Sequence, residues 1–176
     1  MKRIASSIAA VAVTLANLLA GPALAGGGGH AKPHAHADMS ADQKAFGIAG
    51  DPRKVSRTIA IELTDQMRFI PAVVDVKLGE TLRFRVTNTG SAPHEMVIGT
   101  LPELRKHAAL MRSAPAMTHN DAHAASVKPG TVEEIVWTFN RPGEFSYACL
   151  VPGHLEAGMV GKVVVKARTA STSTSR

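Results

Sequence analysis

Tyr147-Ala148-Cys149-Leu150-Val151-Pro152-Gly153-His154-Leu155-Glu156-Ala157-Gly158-Met159 sets a thiol, an imidazole and a thioether at five-residue steps. Two apolar runs flank the stretch, Phe145 to Cys149 and Val160 to Val165. Both read as strands. Pro152-Gly153 and Gly158 let the chain between them bend. The three side chains therefore converge where one strand ends and the next begins.

Outward from that loop the period-two pattern recurs. Ile59, Ile61 and Leu63 alternate with Thr58, Ala60 and Glu62, and Val74, Val76 and Leu78 with Asp75 and Lys77. Leu82, Phe84 and Val86 alternate with Arg83, Arg85 and Thr87, and Ile135, Trp137 and Phe139 follow Val132. Val97-Ile98 is a further short strand candidate. Alternation of this kind marks strands with one face on a core. Gly79-Glu80, Asn88-Thr89-Gly90 and Arg141-Pro142-Gly143 supply turns. The expected fold is all-β, a two-sheet sandwich over residues 55–167.

One stretch, residues 100–130, interrupts the pattern and reads as a helix plus loop inserted before the ligand-loop strands. Thr100 and Glu103 fit a capping box, and Leu104, His107, Ala108 and Met111 share one helical face. Residues 26–54 read as a disordered leader, because Gly26 to Gly29 and the Ala, Pro and His residues after it form no packed face. Residues 168–176, ending Ser-Thr-Ser-Thr-Ser-Arg, read as a disordered tail. Residues 1–25 have the form of a signal peptide: Lys2 and Arg3, an apolar run from Ile4 to Ala20, and Ala23-Leu24-Ala25 as cleavage site. The run is short for a membrane anchor, so no span is expected after cleavage. Periplasmic export follows from this reading.

The net charge of +6 lacks a basic stripe with interleaved aromatics, which argues against nucleic acid as a partner. Cys149 is the single cysteine, so no internal disulfide forms. An exported odd thiol needs protection by burial, pairing or metal.

Copper accounts for the donor types. A centre that cycles between Cu(I) and Cu(II) needs soft sulfur and imidazole nitrogen together, and two His, one Cys and a weak axial Met provide both. His94 is the natural second histidine, since it follows the Asn88-to-Pro93 turn and opens the Val97-Ile98 strand. Taken singly, Cys149, His154 and Met159 each have a bland reading as a buried hydrophobe, a solvated loop residue and core filler. With eight His and seven Met in 176 residues, both at these offsets from the only Cys is about a one-in-several-hundred coincidence. Zinc also takes Cys and His, but the thioether favours copper.

On these residues the chain resembles the cupredoxins, or blue copper proteins, which include plastocyanin, azurin, pseudoazurin and auracyanin. The Cys149-x4-His154-x4-Met159 loop is most similar to that of auracyanin, and the likeness covers Val55 to Val165. The resemblance implies a Greek-key two-sheet sandwich with one type 1 copper, and His94, Cys149, His154 and Met159 as its ligands. The leader and insert resemble periplasmic cupredoxins associated with bacterial copper tolerance. One position departs from the family: many members have Asn after the first His ligand, where it ties the ligand loops together, and here it is Glu95.

Further His and Met residues form a softer signal. His30, His34 and His36 in the leader read equally as weak copper or zinc ligands and as part of a solvated tail. In the insert, His107 and Met111, and His119 and His123, are four apart. Met111 is expected to pack, and Met117, His119 and His123 to have weak affinity for additional copper. Three roles follow from the resemblance: one-electron carrier, copper buffer or tolerance protein, and enzyme. The last is disfavoured, because copper oxidases need further His pairs, and the sole His-x-His lies in the leader. A dithiolate-bridged pair of coppers would need a second Cys. A monomer is expected, with a cytochrome or another copper protein as redox partner.

Overall fold

The structure, a computed structural model, describes residues 42–113 and 121–167. In chain order the strands are β1 (Ile48–Ala49), β2 (Arg57–Thr64), β3 (Arg68–Ile70), β4 (Val73–Lys77), β5 (Glu80–Asn88), β6 (His94–Gly99), β7 (Ala124–Val127), β8 (Val132–Phe139), β9 (Gly143–Ala148) and β10 (Val160–Lys166). One helix, α1 (Leu101–Ser113), follows β6. The first sheet runs β1-β8-β5-β2-β3 and the second β4-β10-β9-β6-β7. This is the two-sheet sandwich with a short helix that the alternating sequence predicts.

Each sheet turns its apolar positions inward. Ile61, Leu63, Leu82, Phe84, Val86, Ile135, Trp137 and Phe139 of the first sheet meet Val74, Val76, Met96, Ile98, Phe145, Tyr147, Val163 and Val165 of the second. Parallel pairing of β2 with β5 sets Ile61 beside Val86, and antiparallel pairing of β5 with β8 sets Phe84 opposite Ile135. Truncating a large aromatic in such a core costs about 3–5 kcal/mol.

Every residue of β6 is buried, and α1 is the reason. Met96 and Ile98 face the sandwich core, while Val97 faces the helix and packs with Leu104, Ala108, Met111, Ala148 and Leu150. Gly99 lies under the helix, where a Cβ would come within 3.1 Å of the Leu104 side chain. The capping box forms: Thr100 Oγ1 donates to Glu103 Oε2 at 2.7 Å, and the Glu103 N–H bonds back to Thr100 Oγ1 at 3.4 Å. Met111 packs, as expected.

Two expectations are corrected. The leader boundary at residue 54 is too late, because the chain is folded from about Lys44. Phe46 is buried and stacks on Trp137 with ring centroids 5.3 Å apart, and the Trp137 Nε1–H donates to the Phe46 carbonyl at 3.0 Å. Ile48 and Ala49 then pair with Thr138 and Trp137. A buried indole requires an acceptor, and this segment supplies it; a lone aromatic among small and polar residues carries no period that would reveal the contact. The insert, in turn, holds a strand as well as a helix. Ala124–Val127 forms β7 and pairs with β6, His94 lying opposite Val127. Ala-Ala-Ser-Val has weak strand preference alone, so its pairing with β6 makes it a strand. The expected signal peptide (1–25), the rest of the expected leader and the expected tail (168–176) lie outside the described residues.

Candidate metal centre

Strand alternation and one tight loop build the site. His94 opens β6 on the inward face it shares with Met96 and Ile98, and Cys149 follows β9 on the inward face of Phe145 and Tyr147. Neighbouring strands with inward side chains at matching ends bring the two together. The loop after Cys149 is wound by its own backbone. His154 N–H donates to Val151 O and Met159 N–H to His154 O, both at 3.0 Å. Gly153 and Gly158 take φ of +90° and +88°, the left-handed conformation that favours glycine. Cys149 N–H donates to the Met159 carbonyl at 3.1 Å, which continues the β9–β10 ladder and returns Met159 to the core beside Cys149.

Three donor atoms converge. His154 Nδ1 lies 3.3 Å and His94 Nδ1 3.9 Å from Cys149 Sγ, and the two Nδ1 atoms are 3.2 Å apart. Among the described residues, His94, Cys149 and His154 form the group of three metal-ligating side chains whose donor atoms all lie within 4.8 Å of one another. Met159 is fully buried in the same core. Two imidazole nitrogens facing each other and a thiol, with soft and borderline donors together, fit a copper ion.

The protonation states suit ligation. Burial holds both the His94 and the His154 pKa below the ordinary histidine value, opposed by the Asp65 carboxylate and, for His154, reinforced by His94. Both rings are thus neutral near pH 7. Burial pushes the Cys149 thiol up to about 11, against the lowering effect of N–H groups from Glu95 and Val151. Metal binding therefore has to release the thiol proton.

Glu95, the departure from the family pattern, contributes through its backbone. Its N–H donates to Cys149 Sγ at 3.3 Å, while its side chain points to the opposite face of β6, where Ser126 Oγ donates to Oε1 at 3.5 Å. Another asparagine ties the ligand loop down. Asn88 is buried, donates to Ala92 O at 2.8 Å and Val127 O at 3.0 Å, and accepts from Gly90 N–H at 2.9 Å. The carboxylate of Asp65 clasps the same loop through Ser91 and Ala92. Those bonds hold the Asp65 pKa down at about 2. The sequence marks Asn88 only as a turn residue and leaves Asp65 unmarked, since both act on residues brought near by the fold.

The other histidines divide. His107 and His123 line a cavity of about 190 Å³ under α1 with Lys44, Phe46, Glu103 and Leu104. The His123 ring packs near Phe46 and Trp137, centroids 5.4 and 5.7 Å away. Neither joins the three-donor group. His30, His34, His36, Met117 and His119 lie outside the described residues.

Comparison with known proteins agrees with the geometry. The family model for copper binding proteins of the plastocyanin/azurin family matches residues 55–166. The chain is 49% identical over 140 residues to the copper-resistant cuproprotein CopI of Rubrivivax gelatinosus, covering 80% of this chain and 82% of that protein. It is 32% identical over 118 residues to the copper-resistant cuproprotein CopI of Vibrio cholerae serotype O1, covering 66% and 70%. Among solved structures, reduced auracyanin of Roseiflexus castenholzii superposes with a TM-score of 0.55 at 26% identity, over 64% of this chain and 98% of that one. Auracyanin A of Chloroflexus aurantiacus gives 0.53 at 24% identity, over 62% and 98%, a likeness of fold.

Proposed function

The chain belongs to the plastocyanin/azurin family of copper-binding proteins, and from that premise we propose that it is a copper-tolerance cuproprotein of the periplasm. His94, Cys149 and His154 hold one copper, and Met159 is its weak fourth ligand. The observation that carries this reading is the convergence of one thiol and two imidazole nitrogens within 4.8 Å. The similarity to copper-resistant cuproproteins supports the tolerance role. Copper bound there supplies a one-electron centre with strong thiolate charge transfer. The residues around it bury the thiol, keep both imidazoles neutral and donate an N–H bond to the sulfur.

Periplasmic placement rests on the signal-peptide form of residues 1–25; among the described residues no helix is long and apolar enough to cross a membrane. One-electron transfer is a compatible second reading, favoured by a difference between the two histidines. The His94 side chain is fully buried, whereas His154 is only half-buried and gives an electron a path to the surface. A cytochrome or another copper protein is the partner class for that role. We assign no catalytic turnover to the site.

Copper titration of the exported protein with visible spectroscopy and metal counting tests the proposal. One tightly bound copper with an intense thiolate band is expected, and His94→Ala should weaken binding more than ten-fold. Cells lacking the protein should grow poorly in excess copper and recover with the wild type but not with the His94 variant. Copper binding without a thiolate band would overturn the site. Full rescue by the variant would overturn the tolerance role.

A further inference from the structure

The loop that presents His94 is folded around a carboxylate from the other sheet. Asp65, just past β2, reaches into residues 90–92. The Ser91 N–H lies 3.0 Å from Asp65 Oδ1 and 2.8 Å from Oδ2, and its hydroxyl donates to Oδ2 at 2.8 Å. The Ala92 N–H donates to Oδ1 at 3.2 Å. Gly90 makes the approach possible, since a Cβ there would lie 2.2 Å from Oδ1. Four contacts and a glycine thus fix where this charge sits.

It sits behind the ligand. Asp65 Oδ1 is 3.7 Å from His94 Nε2, a buried nitrogen with no hydrogen-bond partner. The other nitrogen of that ring, Nδ1, faces Cys149 and His154. The imidazole therefore stands between the donor set and a fixed negative charge. At 3.7 Å the contact is longer than a hydrogen bond, but charge acts over that distance.

We propose that Asp65 is a positioning residue for the copper centre: its carboxylate keeps the proton of His94 on Nε2, leaves Nδ1 bare for metal, and biases the bound copper toward Cu(II). The inference rests on the reading of His94 as a copper ligand. The physical basis is general. A carboxylate behind a ligating histidine fixes its tautomer, makes it more basic, and changes metal affinity by about 10–100-fold when removed. A negative charge beside the centre stabilises the more positive oxidation state. Loop clamping alone would need neither oxygen near Nε2.

The test uses the full exported chain, copper-loaded and metal-free, in the wild type and in Asp65→Asn, Asp65→Ala and Ser91→Ala. Ser91→Ala loosens the clasp and keeps the charge. In Asp65→Asn the Cu(II)-to-Cu(I) affinity ratio should fall about ten-fold, a rise of about 59 mV in the reduction potential of a one-electron couple. Asp65→Ala should match or exceed it, and Ser91→Ala should change the ratio less than about two-fold. In the metal-free wild type, nitrogen-15 NMR should find the His94 proton on Nε2, and the Asn variant should show a mixture of tautomers. That measurement stands even where a variant fails to fold. A wild-type proton on Nδ1, an unchanged potential in Asp65→Asn, or equal shifts in Asp65→Asn and Ser91→Ala would each overturn the proposal. If His94→Ala leaves the copper spectrum unchanged, the ligand assignment itself fails; if it destroys the spectrum while Asp65→Asn changes nothing, only the role of Asp65 fails.

Discussion

The two faces of β6 carry the same kinds of residue and use them differently. On the inner face His94 meets Cys149 and His154, three donors within 4.8 Å. On the outer face burial raises the pKa of Glu95, offset only in part by His107 and by the hydrogen bond from Ser126. His107 shares a cavity with His123 beneath α1. The outer set has two imidazoles and carboxylates, its thioether Met111 is packed among Val97, Leu104 and Ala108, and its histidines are spread over a helix and a strand entry. The difference teaches that ligand type is cheap to read and convergence is not. The inner set converges because two strand ends and an eleven-residue loop leave its side chains nowhere else to go.

The largest expected effect breaks the inner face outright. Cys149→Ser should abolish the thiolate-to-copper band while circular dichroism still reports a folded β domain. Cys149 is fully buried, and serine is close in volume, so the scaffold survives. A retained band would move the site elsewhere and erase the contrast between the faces.

The next effect falls on the scaffold the faces share. Phe46 packs against Trp137, Phe145 and His123, so Phe46→Ala should cost about 3–5 kcal/mol, read by chemical denaturation. Deleting residues 26–41 should cost nothing measurable in the same experiment, whereas deletion through Gly50 should destabilise at least as much as Phe46→Ala. Equal stability of the two deletions would return the domain boundary to Val55.

Met159→Leu tests how soft the inner face must be. Leucine replaces a fully buried methionine at a cost below about 1.5 kcal/mol. Copper should stay bound, and the reduction potential should rise, because the lost thioether helped Cu(II) more than Cu(I). Voltammetry decides it; an unchanged potential would remove Met159 from the ligand set.

Most of this architecture is legible in the chain. Leu82, Phe84 and Val86 alternate cleanly because β5 has one face on the core and Arg83 and Arg85 on the other. Three of the four ligands lie within eleven residues, so local spacing exposes them. What stays hidden is whatever depends on two distant segments. β1 and β7 are too short or too alanine-rich to show a period. Phe46 is bound to Trp137, 91 residues away, and Asp65 to Ser91 across 26. The fate of Glu95 was hidden for another reason: its N–H serves the sulfur whatever its side chain, so the substitution from the family's Asn does not remove that bond.

The smallest expected effect belongs to the outer face, and it sharpens the comparison most. His107→Ala combined with His123→Ala should leave the thiolate band and the potential in place, since neither ring belongs to the three-donor group. The tightly bound copper should still count as one. At high loading the total copper should fall by no more than one equivalent, because two imidazoles with carboxylates nearby can hold copper weakly without sulfur. Stability should drop modestly: His123 is packed near Phe46 and Trp137, and both substitutions enlarge a cavity that is already open. Ranking the double variant against His94→Ala under equal copper loading makes the outcome sharp. If the double variant bleached the band as His94→Ala does, the two faces of β6 would form one coupled centre. If it changed nothing at any copper concentration, the outer histidines would be packing residues, and α1 a lid on the sheet with no part in copper handling.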